Sequence, residues 1–335
     1  MTRLCVTRTV SDIVPFSRVE RSSTRKARTS MFNKYSALAA LLLAVMPAQA
    51  ASKINVMTTT EDLAALAREV GGDLVTVDSI AKGYQDPHFV EPKPSFLLKL
   101  QKADLLVVVG LQLEIGWLPP LITQSRNAKI QPAQSGYMDM SQFCQILEIP
   151  QGQVTRAMGD VHPLGNPHYW LNPDNGRRMA KALADRFSSI QPANAAQFAQ
   201  RYAEFDKHLT EAQKGWDTKM APYKDRKVVT YHRSWPNFCE RFGLNVVDYV
   251  EPKPGIPPTP AHTLDLINLM KREGIKLILV EPYFDLRTPN SIASNVGGQV
   301  LVLMPSVGGN KEVTNYFQLF DYDINLLVNA FTKLK

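Results

Sequence analysis

Cysteine is almost absent from this chain. There are three in 335 residues, Cys5, Cys144 and Cys239, too few for the disulfide framework of a small secreted scaffold. Cys144 and Cys239 stand in apolar surroundings, Gln142-Phe-Cys-Gln-Ile-Leu147 and Asn237-Phe-Cys-Glu-Arg-Phe242. Buried free thiols are common in such settings, although a bridge between them stays open in an oxidising compartment. Neither falls in a ligand-like loop. Also missing are a His-Glu-x-x-His helix, a Cys-x-x-Cys pair, a His-x-His pair and a Gly-x-Ser-x-Gly nucleophile elbow. Long apolar runs are scarce too. The stretch Tyr35 to Met46 is shorter than the roughly 20 residues that span a bilayer, and no second run of that length follows.

That stretch has another meaning. Lys34 precedes it, and Pro47-Ala48-Gln49-Ala50 follows with small residues spaced for cleavage, the pattern of a secretory signal. Residues 1–50 therefore read as leader and signal peptide, with the mature chain starting near Ala51. Residues 1–30 are either a long leader or precede a true start at Met31. Because Ala51 rather than cysteine follows the cut, free export into a periplasm is expected rather than a lipid anchor. The formal charge of +7 comes from 38 Lys and Arg against 31 Asp and Glu. The leader carries eight of the former and two of the latter, which leaves 30 against 29. Without a net basic surface the case for a nucleic-acid partner falls away.

The mature length suits two domains. In the first half, β-branched runs at Lys53–Thr58, Leu74–Asp78 and Asp104–Val109 alternate with helical stretches at Glu61–Val70 and Pro94–Ala103. The second half repeats the alternation with runs at Lys227–Thr230, Leu244–Asp248, Lys276–Val280 and Val300–Leu303. Such alternation predicts βαβ units and parallel sheets. Between the halves, Ala193 to Met220 lacks proline and has no glycine before Gly215, so it reads as one helix rather than a flexible linker. The expected fold class is α/β, with two similar lobes, each a parallel sheet flanked by helices, joined by one long rigid helix. The expected boundaries are 51–192, 193–221 and 222–335.

Six histidines occur. His88 and His168 sit in Asp86-Pro87-His88 and Asn166-Pro167-His168, and His232 ends the run Val228-Val-Thr-Tyr-His232. Proline restricts these backbones, and three imidazoles with one further donor would close a tetrahedral zinc site. The intervals of 80 and 64 residues match no local motif, so the tertiary fold must assemble the site. Ligands of open α/β sheets bind beyond the carboxyl ends of strands. That is where His232 and Glu281 fall, Glu281 as a metal ligand or as an acceptor that orients a histidine. Asp285 is a weaker candidate for the same work. His162 is a further candidate to approach through its loop, whereas His208 and His262 are expected on surfaces.

These segments resemble the periplasmic solute-binding proteins of zinc and manganese ABC importers, the cluster A-I or TroA-like family, over essentially all of residues 51–335. Asp86-Pro87-His88 looks like the family's Asp-Pro-His motif, Pro167 to Pro173 like its His-x-Trp-Leu-Asp-Pro motif, and Val228 to His232 like its strand end. The resemblance implies two lobes on one rigid helix with the metal held between them. It makes His88, His168 and His232 ligands, and it implies delivery to an inner-membrane permease with its ATPase, no enzyme activity and a monomeric protein. Two departures matter. Ser306 stands where many members carry an acidic fourth ligand, leaving water, Glu281 or a loop group as fourth donor. Asn172 replaces an Asp, a helix cap in either form. Three imidazoles favour Zn(II) over Mn(II) as the transported ligand. A chelated metal, Mn(II), or the water-activating zinc of a secreted hydrolase are the alternatives.

Overall fold

The computed structural model describes Pro15 and residues 52–155, 158–159 and 161–334. The signal-peptide expectation therefore lies outside the described residues, as does nearly all of the compact unit Met1–Ala51. The second unit, Ser52–Lys335, contains two four-stranded sheets in which every pairing between strands is parallel.

The first sheet is built from β1 (Ile54–Thr58), α1 (Glu61–Gly71), β2 (Val75–Ser79), α2 (Pro94–Lys102), β3 (Leu105–Val108), α3 (Leu118–Ser125) and β4 (Tyr137–Asp139), with strand order β2-β1-β3-β4. Helix α4 (Pro173–Ile190) and the long α5 (Ala195–Met220) follow. The second sheet comprises β5 (Lys227–Thr230), α6 (Pro236–Phe242), β6 (Asn245–Tyr249), α7 (Pro260–Glu273), β7 (Leu277–Val280), α8 (Arg287–Val296) and β8 (Gln299–Val302), in the order β6-β5-β7-β8, and α9 (Tyr316–Lys333) closes the chain. The two orders are the same pattern used twice. The central strands β3, Leu-Leu-Val-Val, and β7, Leu-Ile-Leu-Val, are buried at every position, as sheets covered by helices on both faces require. Among the described residues no helix is long and apolar enough to cross a membrane.

Helix α5 has 26 residues, about 39 Å at 1.5 Å per residue. Its buried apolar positions Phe198, Phe205, Leu209, Trp216 and Met220 recur at intervals of seven and four, one apolar stripe on an otherwise polar helix. That stripe lies in one hydrophobic cluster that also takes in Val56 and Leu105 of the first sheet, Val228 and Leu277 of the second, and Phe320 and Leu327 of α9. Two smaller clusters fill the outer faces, around Leu106 and Trp117 on one sheet and Ile278 and Met270 on the other. The core on the helix is therefore shared between the sheets. His208, expected on a solvated face, is exposed, but its ring stacks on Phe317 of α9 at 3.9 Å between centroids. Cys144 and Cys239 are unbridged.

Candidate metal centre

Two of the three predicted histidines are held by the same local device. In Asp86-Pro87-His88 the Asp86 Oδ1 accepts the His88 backbone N–H at 2.9 Å and lies 2.7 Å from its ring Nδ1. In Asn166-Pro167-His168 the Asn166 Oδ1 accepts the backbone N–H of His168 at 2.9 Å and meets Nδ1 at 3.1 Å. An Asx side chain closing such a two-residue turn, with proline between, fixes backbone and ring together. His232 sits just beyond β5, with its carbonyl accepting the Thr230 hydroxyl at 2.8 Å, and its Nδ1 is 2.8 Å from Glu251 Oε2.

Each of these Nδ1 atoms faces an oxygen acceptor, so in the neutral ring each carries the proton and each Nε2 keeps its lone pair. The three rings converge. Centroids are 5.3 Å apart for His88 and His168, 5.4 Å for His88 and His232, and 5.6 Å for His168 and His232. One candidate ligand atom from each of the three lies within 4.8 Å of the other two. Nitrogens at 2.0–2.1 Å from a tetrahedral zinc are about 3.4 Å apart, so the set fits an ion after contracting by at most about 1.4 Å. The Nε2 of His168 is buried without a hydrogen-bond partner, an arrangement native proteins rarely leave without a reason.

The electrostatics separate the three imidazoles. Burial and the neighbouring imidazoles hold His168 well below the ordinary histidine range. Burial also opposes a charge on His232, but the Glu251 hydrogen bond and the charges of Glu281, Glu251 and Asp86 outweigh it and raise its pKa. Asp86 is pulled down, against its own burial, by the hydrogen bond and charge of His88.

Glu281 follows β7 directly, as expected, and is fully buried, yet it is not a member of the 4.8 Å set. Neither of its oxygens makes a well-formed hydrogen bond, and burial pushes it up to about 7 against the opposing charge of His232 and a contact with Ser234. The acceptor that orients His232 is instead Glu251, which the sequence reading did not single out. Glu251 stands one residue past the end of β6, with Val250 between, whereas Glu281 follows β7 directly, and nothing local in the sequence ties it to His232. Asp285 is exposed and engaged with Arg287 at 2.8 Å. His262 starts α7 and bonds the Tyr249 carbonyl at 2.9 Å. Asn172 caps α4, its side chain accepting the Asp174 N–H at 2.9 Å.

Ser306 has its own occupation. Its hydroxyl bonds the buried Asp62 of α1, and Asp62 also accepts the Val307 N–H at 2.9 Å. The neighbouring Pro305 carbonyl accepts Trp170 Nε1–H at 2.8 Å. At Gly83 an added Cβ would come within 1.9 Å of the Val307 carbonyl, so only glycine permits that approach. The loop after β8 is thereby pinned to the first half of the chain. A cavity of about 50 Å³ adjoins the histidines, lined in part by Glu148, His162, Asn166 and Arg233. Across it Arg233 pairs with Glu148 at 2.9 Å and stacks on Tyr249 at 4.3 Å, and its carbonyl accepts Asn166 Nδ2–H at 2.8 Å.

Two parallel α/β halves strung on one helix, with imidazoles converging from loops of both halves, define a two-lobed binding protein of the solute-receptor class. The chain belongs to the ZnuA family, zinc-uptake complex component A periplasmic, whose model matches residues 56–330. Among its relatives, the manganese ABC transporter substrate-binding lipoprotein PsaA of Streptococcus anginosus is 22% identical over 311 residues, 90% of this chain and 97% of PsaA. The zinc-binding lipoprotein AdcA of Streptococcus pneumoniae is 23% identical over 288 residues, 83% of this chain and 56% of AdcA. A crystal structure of ZnuA superposes with a TM-score of 0.69 at 23% identity, covering 83% of this chain and 99% of that one.

Proposed function

We propose that the protein is the exported receptor of a metal ABC importer, that it binds Zn(II) with His88, His168 and His232, and that it surrenders the ion to a membrane permease driven by an ATPase. The observation that carries this reading is the convergence of three imidazoles with the same tautomer, each anchored through Nδ1. Nitrogen donors suit zinc better than manganese, which takes oxygen-rich shells, so zinc is favoured although relatives are named for either metal. In this reading residues 51–192 and 222–335 are the two lobes, helix 193–221 joins them, the protein is monomeric and acts in the periplasm after removal of the leader.

The cavity's size supports a bare ion over a chelate, since about 50 Å³ is far below the roughly 300 Å³ or more that small-molecule pockets offer. Glu281 stands outside the set of converging atoms, and in its ionised form it acts through its charge on His232 rather than through a bond to the ion.

Metal analysis and zinc titration of the stripped protein, beside His88→Ala and His232→Ala variants, test the reading. One zinc per chain, lost in both variants, is the expected result. Binding indifferent to both substitutions would place the site elsewhere, and tight manganese with weak zinc would reverse the choice of metal.

A further inference from the structure

We propose that His162 is the fourth protein ligand of the ion, entering from the loop before His168 and completing an all-nitrogen shell where other donor sets would use a carboxylate or water. This rests on the reading of His88, His168 and His232 as ligands and adds a residue to it.

His162 is built as the other three are. Its Nδ1 lies 3.0 Å from the Leu111 carbonyl, which can only accept, so Nδ1 carries the proton and Nε2 is left with its lone pair. That Nε2 is 3.2 Å from Nε2 of His88, and the His88 and His162 rings stand 5.3 Å apart, as close as His88 and His168. Two unprotonated nitrogens give no hydrogen bond to each other. Two nitrogens sharing a tetrahedral zinc lie about 3.3–3.4 Å apart, which is the observed separation within about 0.2 Å. His162 is outside the 4.8 Å set of the other three, so it reaches the ion from the His88 side and has the longest path to close.

The carbonyl that aims His162 is itself held at a cost. Leu111 and Gln112 adopt φ of 52° and 67°, the left-handed region that side-chain-bearing residues seldom enter. The turn is fixed by Glu114, a buried carboxylate that accepts the N–H of Val109 at 2.7 Å and of Gly110 at 3.1 Å and the Thr59 hydroxyl at 2.6 Å. On the other side, the turn from His162 back toward the site closes through the Gly165 N–H to the His162 carbonyl at 3.2 Å. Gly165 has φ of +111°, and a Cβ there would meet Ile146 at 2.4 Å. The turn after β3 and the turn at Gly165 are thus both shaped around one imidazole. Ser306 of the loop after β8 does not compete for that place, because its hydroxyl is engaged with Asp62.

The test compares wild type with His162→Ala and His162→Gln, measuring zinc affinity by competition with a chromophoric chelator and the visible d–d bands of the Co(II)-loaded protein. Thermal unfolding of the metal-free variants checks the fold. The expected result is one ion still bound at least tenfold more weakly, with cobalt bands shifted and weakened as a nitrogen gives way to water. Affinity within twofold and unchanged bands would overturn the proposal while leaving the three-histidine site standing. Weaker zinc binding with unchanged cobalt bands would also overturn it, making His162 a cover over the site. If wild type binds no zinc, or His88→Ala binds it as wild type does, the underlying reading fails and this one with it.

Discussion

Replacing Glu251 with glutamine separates orientation from charge at His232. The pair is 2.8 Å apart with both side chains under a tenth exposed, and Glu251 Oε2 also accepts the Gly255 N–H at 3.2 Å. Glutamine can keep both contacts through its amide oxygen but removes the negative charge. Loss of an outer partner of a metal-bound imidazole costs about ten- to a hundredfold in affinity, or about 1.4–2.7 kcal/mol. The variant is placed at the lower end at pH 8, and Glu251→Leu, which removes the acceptor too, at the upper. The pH dependence carries the sharper prediction. Protons and metal compete for the same Nε2, so affinity is full above the pKa of His232 and is lost as pH falls through it. In wild type that pKa is raised with the help of Glu251, so the loss begins above the ordinary 6.5. In Glu251→Gln it begins lower, and the deficit against wild type narrows as pH falls toward about 5.5. Zinc competition titrations between pH 5.5 and 8 give both quantities. A deficit constant across that range, or Glu251→Gln binding within twofold of wild type at pH 8, would refute the role assigned to Glu251.

Burial raises the pKa of Glu281 to about 7, so its charged form weighs on the fold above that pH and less as pH falls toward its unfolded value. In chemical denaturation of the metal-free protein, the stability of Glu281→Gln relative to wild type should accordingly improve by roughly 1–3 kcal/mol from pH 5 to pH 8. Its zinc affinity should change less than tenfold, and a larger loss would mark the carboxylate as a ligand. Zinc should raise the melting temperature of wild type in a concentration-dependent way, and His168→Ala should remove that shift in calorimetry. The Arg233 and Glu148 pair is part-exposed and therefore weak. Glu148→Ala should leave the fold intact and speed zinc dissociation a few-fold in stopped-flow chelator competition, and an unchanged rate would deny the pair any hold on the ion.

The two lobes and the strut could be read from residue order because their signals are local and strong. The strand β5 ends where the run Lys227–Thr230 does, and α5 begins at Ala195, close to the expected Ala193. What escaped has physical reasons. Strand β4 is three residues at a sheet edge, too short for a period to show. Helix α3 opens with Pro119 and Pro120, residues that read as breakers unless placed in a first turn. That α9 packs its Phe320 and Leu327 into the core of α5 depends on chain return, which no window of sequence contains. At the site, the prolyl histidines were visible because Asx-Pro-His is contiguous. Glu251 and the Leu111 carbonyl were not, since each meets its histidine only across 19 and 51 positions of chain.

The stripe on α5 packs with both sheets in one unbroken apolar cluster. Swinging one sheet away from the other would expose that cluster to water, at about 25 cal/mol for each Å² laid bare. A receptor so constructed cannot announce its loaded state by snapping shut. Any difference between its full and empty forms is left to the short loops around His88, His162 and Arg233, while the two halves stay in register.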